Sequence, residues 1–196
     1  MITIDDGYQN NLDLAAPLLE EYGFTANIAV IGVSIGADTY KDTGEPILPH
    51  FSLEDALPWV EKGVLTLTTH SYDMHQVASL DGEDCRQGAL QMEGESEQAY
   101  IGALTQDYQT AVEQLEAGMG EVCPVYTYPN GLCSSLSEVV LQELGVRVTV
   151  TTQSGVNQLL KGADQSLFQL RRITVEGELT AQELLERMET YLRQIA

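Results

Sequence analysis

The sequence predicts an α/β fold in which a mostly parallel sheet carries its helices outside, either open or rolled into a barrel. Three observations predict it: short β-rich runs alternate with amphipathic stretches, no block of strands stands without helices between them, and no internal repeat or low-complexity linker interrupts the pattern. Repeated β-α units of this kind favour parallel pairing through crossover helices.

Each element follows in order. Residues 2–5 form the first strand, and Leu12, Ala15, Ala16 and Leu19 then recur at helical spacing. Residues 25–31 read as a second, buried strand. Ser52 and Asp55 make a capping box ahead of a helix bearing Leu53, Ala56, Leu57 and Val60, and residues 64–69 follow at once as a third strand. The acidic, glycine-containing stretch 81–97 reads as a surface excursion before a long helix with Leu104, Tyr108, Ala111, Val112 and Leu115 on one stripe. The alternation continues with a strand over 124–128, a helix over 137–144, strands over 147–151 and 168–175, and a last helix capped by Thr180 and Glu183.

Composition narrows the function. Nine Lys or Arg against 30 Asp or Glu give a net charge of −21. A phosphate-binding surface needs a basic patch, so nucleic acid is disfavoured as a partner, and anionic membrane surfaces for the same reason. Hydrophobic residues at 43% and charged residues at 20% are the composition of a globular chain with a sizeable core, and one domain spanning residues 1–196 is expected. No apolar run approaches the roughly 20 residues of a membrane helix. Met1 stands three residues ahead of Asp5-Asp6, which points to a chain trimmed at its N-terminus, so the lack of a signal peptide says little. Cys85, Cys123 and Cys133 are odd in number and lack a CxxC pair, which argues against a thiolate zinc site and a disulfide scaffold.

In parallel β/α architectures chemistry gathers at the carboxyl ends of strands. Three of those ends stand out. Asp5-Asp6-Gly7 places two adjacent carboxylates where a strand turns sharply. Residues 69–75, Thr-His-Ser-Tyr-Asp-Met-His, hold two of the three histidines. Five residues apart, His70 and His75 lie about 140° apart on a helix, whereas a loop can turn both imidazoles toward one ion. A carboxylate from a neighbouring strand would complete a two-His, one-carboxylate site with positions open to water and substrate. The third end, Tyr126-Thr127-Tyr128-Pro129-Asn130-Gly131, carries strong turn chemistry that could aim backbone N–H groups at a developing oxyanion.

Taken together and in this order, the three resemble the polysaccharide deacetylases with the NodB-homology domain, carbohydrate esterase family 4. Thr3-Ile4-Asp5-Asp6-Gly7 is similar to that family's first motif, which implies Asp5 as catalytic base and Asp6 as metal ligand. His70-Ser71 through His75 resembles the second motif, which supplies two metal histidines. Its usual spacing is His-x3-His; the His-x4-His of this chain is similar to the branch acting on poly-N-acetylglucosamine. Tyr128-Pro129-Asn130-Gly131 corresponds to the third motif, which implies that Tyr128, Pro129 and Asn130 line the substrate and hold the oxyanion. The resemblance runs over nearly the whole chain, taking in residues 49–52 and 170–175.

What the resemblance implies is a distorted, NodB-like (β/α) barrel with fewer than eight strands, and a metal-dependent hydrolase removing N-acetyl groups from an N-acetylglucosamine-containing polysaccharide. It implies one divalent ion on Asp6, His70 and His75, taken as Zn2+ with Co2+ or Ni2+ as alternatives, and an extracellular or cell-envelope location. Two features depart from the family pattern. No histidine follows His75, so the usual general acid has no counterpart, and the alternative reading is a catalytically impaired relative that binds metal and glycan. The arginine that usually precedes the third motif and orients the base is also absent, which leaves Arg171 or Arg172, on another strand, to approach Asp5. His50 and Trp59 could line a cleft but are read as structural residues, and Cys133 as a small buried one.

Overall fold

Every strand-forming segment expected from the sequence enters one parallel sheet, with its strands side by side in chain order. The structure, a computed structural model, describes residues 1–195; the final residue of the expected 1–196 domain, Ala196, lies outside the described residues. The strands are β1 (Ile2–Asp6), β2 (Ala26–Val30), β3 (Leu65–Thr69), β4 (Val125–Thr127), β5 (Val148–Ser154) and β6 (Leu170–Arg172). The sheet curls into a half-barrel, the expected distorted (β/α) barrel with fewer than eight strands. β1 and β6 are its two edges and face each other across a seam. A cavity of about 600 Å³ runs along that seam, lined by Ile2, Val150, Leu170, Arg172, Leu184 and Met188 among others.

The helices are α1 (Ala16–Tyr22), entered through a π-helical turn over Asn11–Ala15, then α2 (Leu53–Glu61), α3 (Ala78–Asp81), α4 (Glu97–Met119), α5 (Ser135–Glu143) and α6 (Ala181–Ile195). The Ser52/Asp55 capping box starts α2, with each partner accepting the other's backbone N–H. One apolar cluster packs Leu12, Ala16 and Leu19 and Ala56 against Ile28, Val30, Leu65 and Leu67. A second gathers Tyr100, Leu104 and Tyr108 of α4 with Tyr126, Val140 and Leu141. Burying two such faces is what holds helices on the outside of the sheet.

Because parallel partners share a face, the register groups Thr3 and Asp5 with Asn27, Ala29 and Thr68 on the face opposite the first cluster. This inner face is polar. Thr68 donates to Asn27 at 2.9 Å there.

Two expectations change. The strand expected over 168–175 shortens to Leu170–Arg172, because Gln169 turns left-handed (φ 56°) and β5, the strand it pairs with, ends at Ser154 opposite Arg172. The excursion 81–97 is not a merely solvated loop. Arg86 and Ala89 are buried within it, Arg86 forks onto Glu95 at 2.7 and 3.0 Å, and the Ala89 carbonyl accepts from Tyr100.

Candidate active site

Asp5 and Asp6 lie at the carboxyl end of β1, His70 directly follows β3, and Pro129 follows β4 within three residues, so the three marked segments meet at one end of the sheet. Asp6 adopts a left-handed conformation (φ 72°) and Gly7 another (φ 88°). At Gly7 a Cβ would stand 2.9 Å from Val30 Cγ1, so the turn is open to glycine alone. Ser71, just past His70, is also left-handed (φ 74°). Non-glycine residues held this way are strained and cluster at functional sites.

The structure brings Asp6, His70 and His75 together: one ligand atom from each lies within 4.8 Å of the other two. Nε2 of His70 is 3.5 Å and Nε2 of His75 is 3.7 Å from Asp6 Oδ1. His70 is 2% exposed, and its Nδ1 sits 2.7 Å from the Thr127 carbonyl. A carbonyl only accepts, so Nδ1 carries the proton and Nε2 turns a bare lone pair toward Asp6. Burial lowers the His70 pKa, which favours this neutral form. Asp6 Oδ1 is itself buried and has no hydrogen-bond partner among the described residues. Lone pairs facing one another across 3.5 Å repel, and an orphaned buried oxygen is costly. A divalent cation satisfies all three, and the donor set of two imidazoles and one carboxylate suits zinc and related metals.

Beside this cluster Asp5 receives a bidentate hydrogen bond from Arg172, 2.7 Å to each oxygen. Arg172 also donates to the Thr151 carbonyl at 2.8 Å, which fixes the fork. Burial works to raise the Asp5 pKa; the hydrogen bonds and charge of Arg172 oppose it, and the carboxyl is held below its ordinary value. Of the two arginines considered for this position, Arg171 is exposed and its backbone is tied to the Asn157 side chain.

In the third segment the Tyr128 side chain is fully buried against the second apolar cluster, and its N–H donates to the Val150 carbonyl at 2.9 Å. Pro129 is buried and has no N–H. The expectation of three contributing residues therefore narrows to Asn130, exposed and left-handed (φ 55°), whose N–H is the donor the turn can offer.

His50 stacks on Tyr8 with ring centroids 4.7 Å apart, and its buried Nδ1 has no partner among the described residues. Burial lowers its pKa, while Asp6 pulls it upward. Trp59 packs against the first cluster beneath Lys62, and Cys133 against the second, as expected of structural residues. Sequence reasoning missed Asp107. This carboxylate, 9% exposed, accepts the backbone N–H groups of Tyr72 and Asp73, inside the loop that carries both histidines. Burial pushes its pKa up to about 6 against the pull of those two donors. Its signal was present: Asp107 is an acid on the Leu104–Ala111–Leu115 stripe that packs inward.

The half-barrel brings carboxylates and imidazoles together at its strand ends, and the chain belongs to the polysaccharide deacetylase family, whose model matches residues 1–149. YxkH of Bacillus subtilis (strain 168), named for the polysaccharide deacetylases, is 26% identical over 175 residues, covering 89% of this chain; the chain spans about half (50%) of that relative's length. Among solved structures the fold is similar to a de-N-acetylase from Aggregatibacter actinomycetemcomitans (TM-score 0.77, 14% identity, 95% of this chain and 73% of the other). It is also similar to IcaB from Ammonifex degensii (TM-score 0.72, 20% identity, 89% and 67%) and to the BpsB deacetylase domain from Bordetella bronchiseptica (TM-score 0.70, 23% identity, 88% and 69%).

Proposed function

We propose that this chain is a metal-dependent hydrolase domain that removes N-acetyl groups from an N-acetylglucosamine-containing polysaccharide. The observation that carries the reading is the convergence of Asp6 Oδ1 with the Nε2 atoms of His70 and His75, beside a second carboxylate, in a chain of the polysaccharide deacetylase family. Asp6, His70 and His75 would hold one divalent cation, Zn2+ by donor chemistry, with Co2+ or Ni2+ as substitutes. Bound there, the cation supplies Lewis acidity for the amide carbonyl and for water.

The chain's own groups supply the rest. Asp5, held ionised by Arg172, accepts the proton of the attacking water. A carboxylate offers about four lone-pair positions, so the two bonds from Arg172 orient Asp5 and leave it able to accept. The Asn130 N–H would serve as an oxyanion donor that needs no side chain. His70 is kept to one tautomer and one direction by the Thr127 carbonyl. A substrate of this class would be met at the cell envelope or outside the cell; among the described residues no helix is long and apolar enough to cross a membrane.

Acetate release from N-acetylglucosamine oligomers, measured after chelation and again after divalent metal is restored, tests the reading. Release only with metal is expected. Metal and glycan binding without release would favour the impaired relative, a reading that the lack of any histidine after His75 supports. Glycan binding indifferent to metal would overturn both.

A further inference from the structure

His70 and His75 reach the same point from different kinds of backbone. His70 is anchored at the end of β3, where its N–H bonds to the Val30 carbonyl at 2.9 Å and its ring to Thr127. His75 lies five residues farther on, beyond any strand, and is held from two sides, by the loop that joins it to His70 and by an isolated antiparallel bridge to Gln87.

That loop is fixed peptide by peptide. The Ser71 N–H goes to Thr69 Oγ1 at 3.0 Å, and the Met74 N–H to Ser71 Oγ at 3.1 Å. Between them, one carboxylate oxygen of Asp107 takes the Tyr72 N–H at 2.9 Å and the other takes the Asp73 N–H at 2.7 Å. Asp107 comes from the middle of α4, a 23-residue helix seated in the second apolar cluster, so the clamp is tied to a rigid element. The loop carbonyls are held as well: Ser71 and Tyr72 accept from Gly32 and Val33 at 3.0 and 2.9 Å. The strained φ of Ser71 persists because its neighbours are held on both sides.

From this we infer that Asp107 is a positioning residue: by clamping the Tyr72 and Asp73 N–H groups it presets His75 against His70 and Asp6, and so raises affinity for a divalent cation. The inference rests on the metal reading above. Preorganised ligands bind without an ordering cost, and partners that orient metal ligands are typically worth about 10- to 100-fold in affinity. Other buried acids have different work; Glu138 on α5 accepts from Thr149, away from the histidine loop.

The test is Co2+ titration of the metal-free full chain, followed by visible absorption, with folding checked by circular dichroism. Asp107→Asn replaces one acceptor with an NH2 group that opposes a backbone N–H, and its Kd for Co2+ is expected to rise about 10- to 100-fold. Glu138→Gln, which removes a buried carboxylate without touching the loop, is expected to bind within twofold of the parent. Asp107→Glu keeps the charge but moves it by one methylene, and should also lose affinity; it carries the test if Asp107→Asn does not fold. A folded Asp107 variant with the parent's Kd overturns the inference. So does an equal loss in Glu138→Gln, because affinity would then follow general stability. If the parent itself binds no Co2+, the metal reading fails and takes the clamp with it, an outcome distinct from the other two.

Discussion

Arg172, on the last strand of the sheet, holds Asp5, on the first, through two N–H···O bonds of 2.7 Å. β1 and β6 share no ladder, so this pair and a longer bond from Arg172 to Thr3 (3.4 Å) bridge the seam of the half-barrel. One side chain thus ties the two sheet edges together and orients the carboxylate proposed as base.

Arg172→Lys keeps the charge but loses the fork, and a lysine cannot hold both oxygens in a fixed plane. Acetate release should fall by about 10²-fold, the scale of a misplaced catalytic group, with metal content unchanged. Steady-state rates and metal analysis of the same sample check it; a parent-like rate would remove Arg172 from the account.

Gly131→Ala should unfold the third turn. A Cβ there would stand 2.1 Å from Thr152 Oγ1 and 2.6 Å from its backbone nitrogen, at φ 69°. Overpacking and backbone strain together predict a loss of about 2 kcal/mol or more in urea unfolding. An unchanged midpoint would mean that the turn does not sit on β5.

Glu95 is lowered in pKa chiefly by its hydrogen bonds from Arg86, with burial opposing. A carboxyl whose folded pKa lies below its unfolded one contributes stability above the unfolded value of about 4.3, and that contribution fades as pH falls through the folded pKa. Glu95→Gln should therefore cost on the order of 1 kcal/mol at neutral pH, and progressively less in acid. Melting curves across that range would show the gap between the two proteins closing; a constant gap would contradict it.

Much of this site was legible in the sequence because it is written in local motifs. Asp5, Asp6, His70 and His75 stand in short strand-end patterns, and the resemblance of those patterns to a family's motifs is what singled them out as a proposed base and ligand set. Arg172 was one of two candidates, and tertiary geometry chose it, since neighbours on a strand point to opposite faces. That the Tyr128 N–H is taken up by the Val150 carbonyl was not legible, because a motif does not reveal which N–H groups the neighbouring strand uses. Asp107 was passed over because a lone acid on a helical stripe gives no hint of its partners, 34 and 35 residues earlier. The excursion 81–97 looked solvated for a similar reason: its acidity hid the single arginine that anchors it.

Metal affinity should fall as the solution is made acid, because an imidazole must be unprotonated to coordinate, and burial of His70, which lowers its pKa, moves its share of that loss toward lower pH. Titrations at several pH values check this. Affinity that is flat between about pH 5 and 8 would argue against histidine ligands.

Comparison of the parent with Asp5→Asn, acetate release and bound metal being measured on the same preparations, bears on the central claim most directly. The amide keeps the shape of the side chain but cannot take a proton from water. The account predicts metal-dependent release by the parent, equal metal in the variant, and a rate lower by about 10²- to 10⁴-fold. Release at the parent rate by fully metal-loaded Asp5→Asn, or none by the parent, would contradict it.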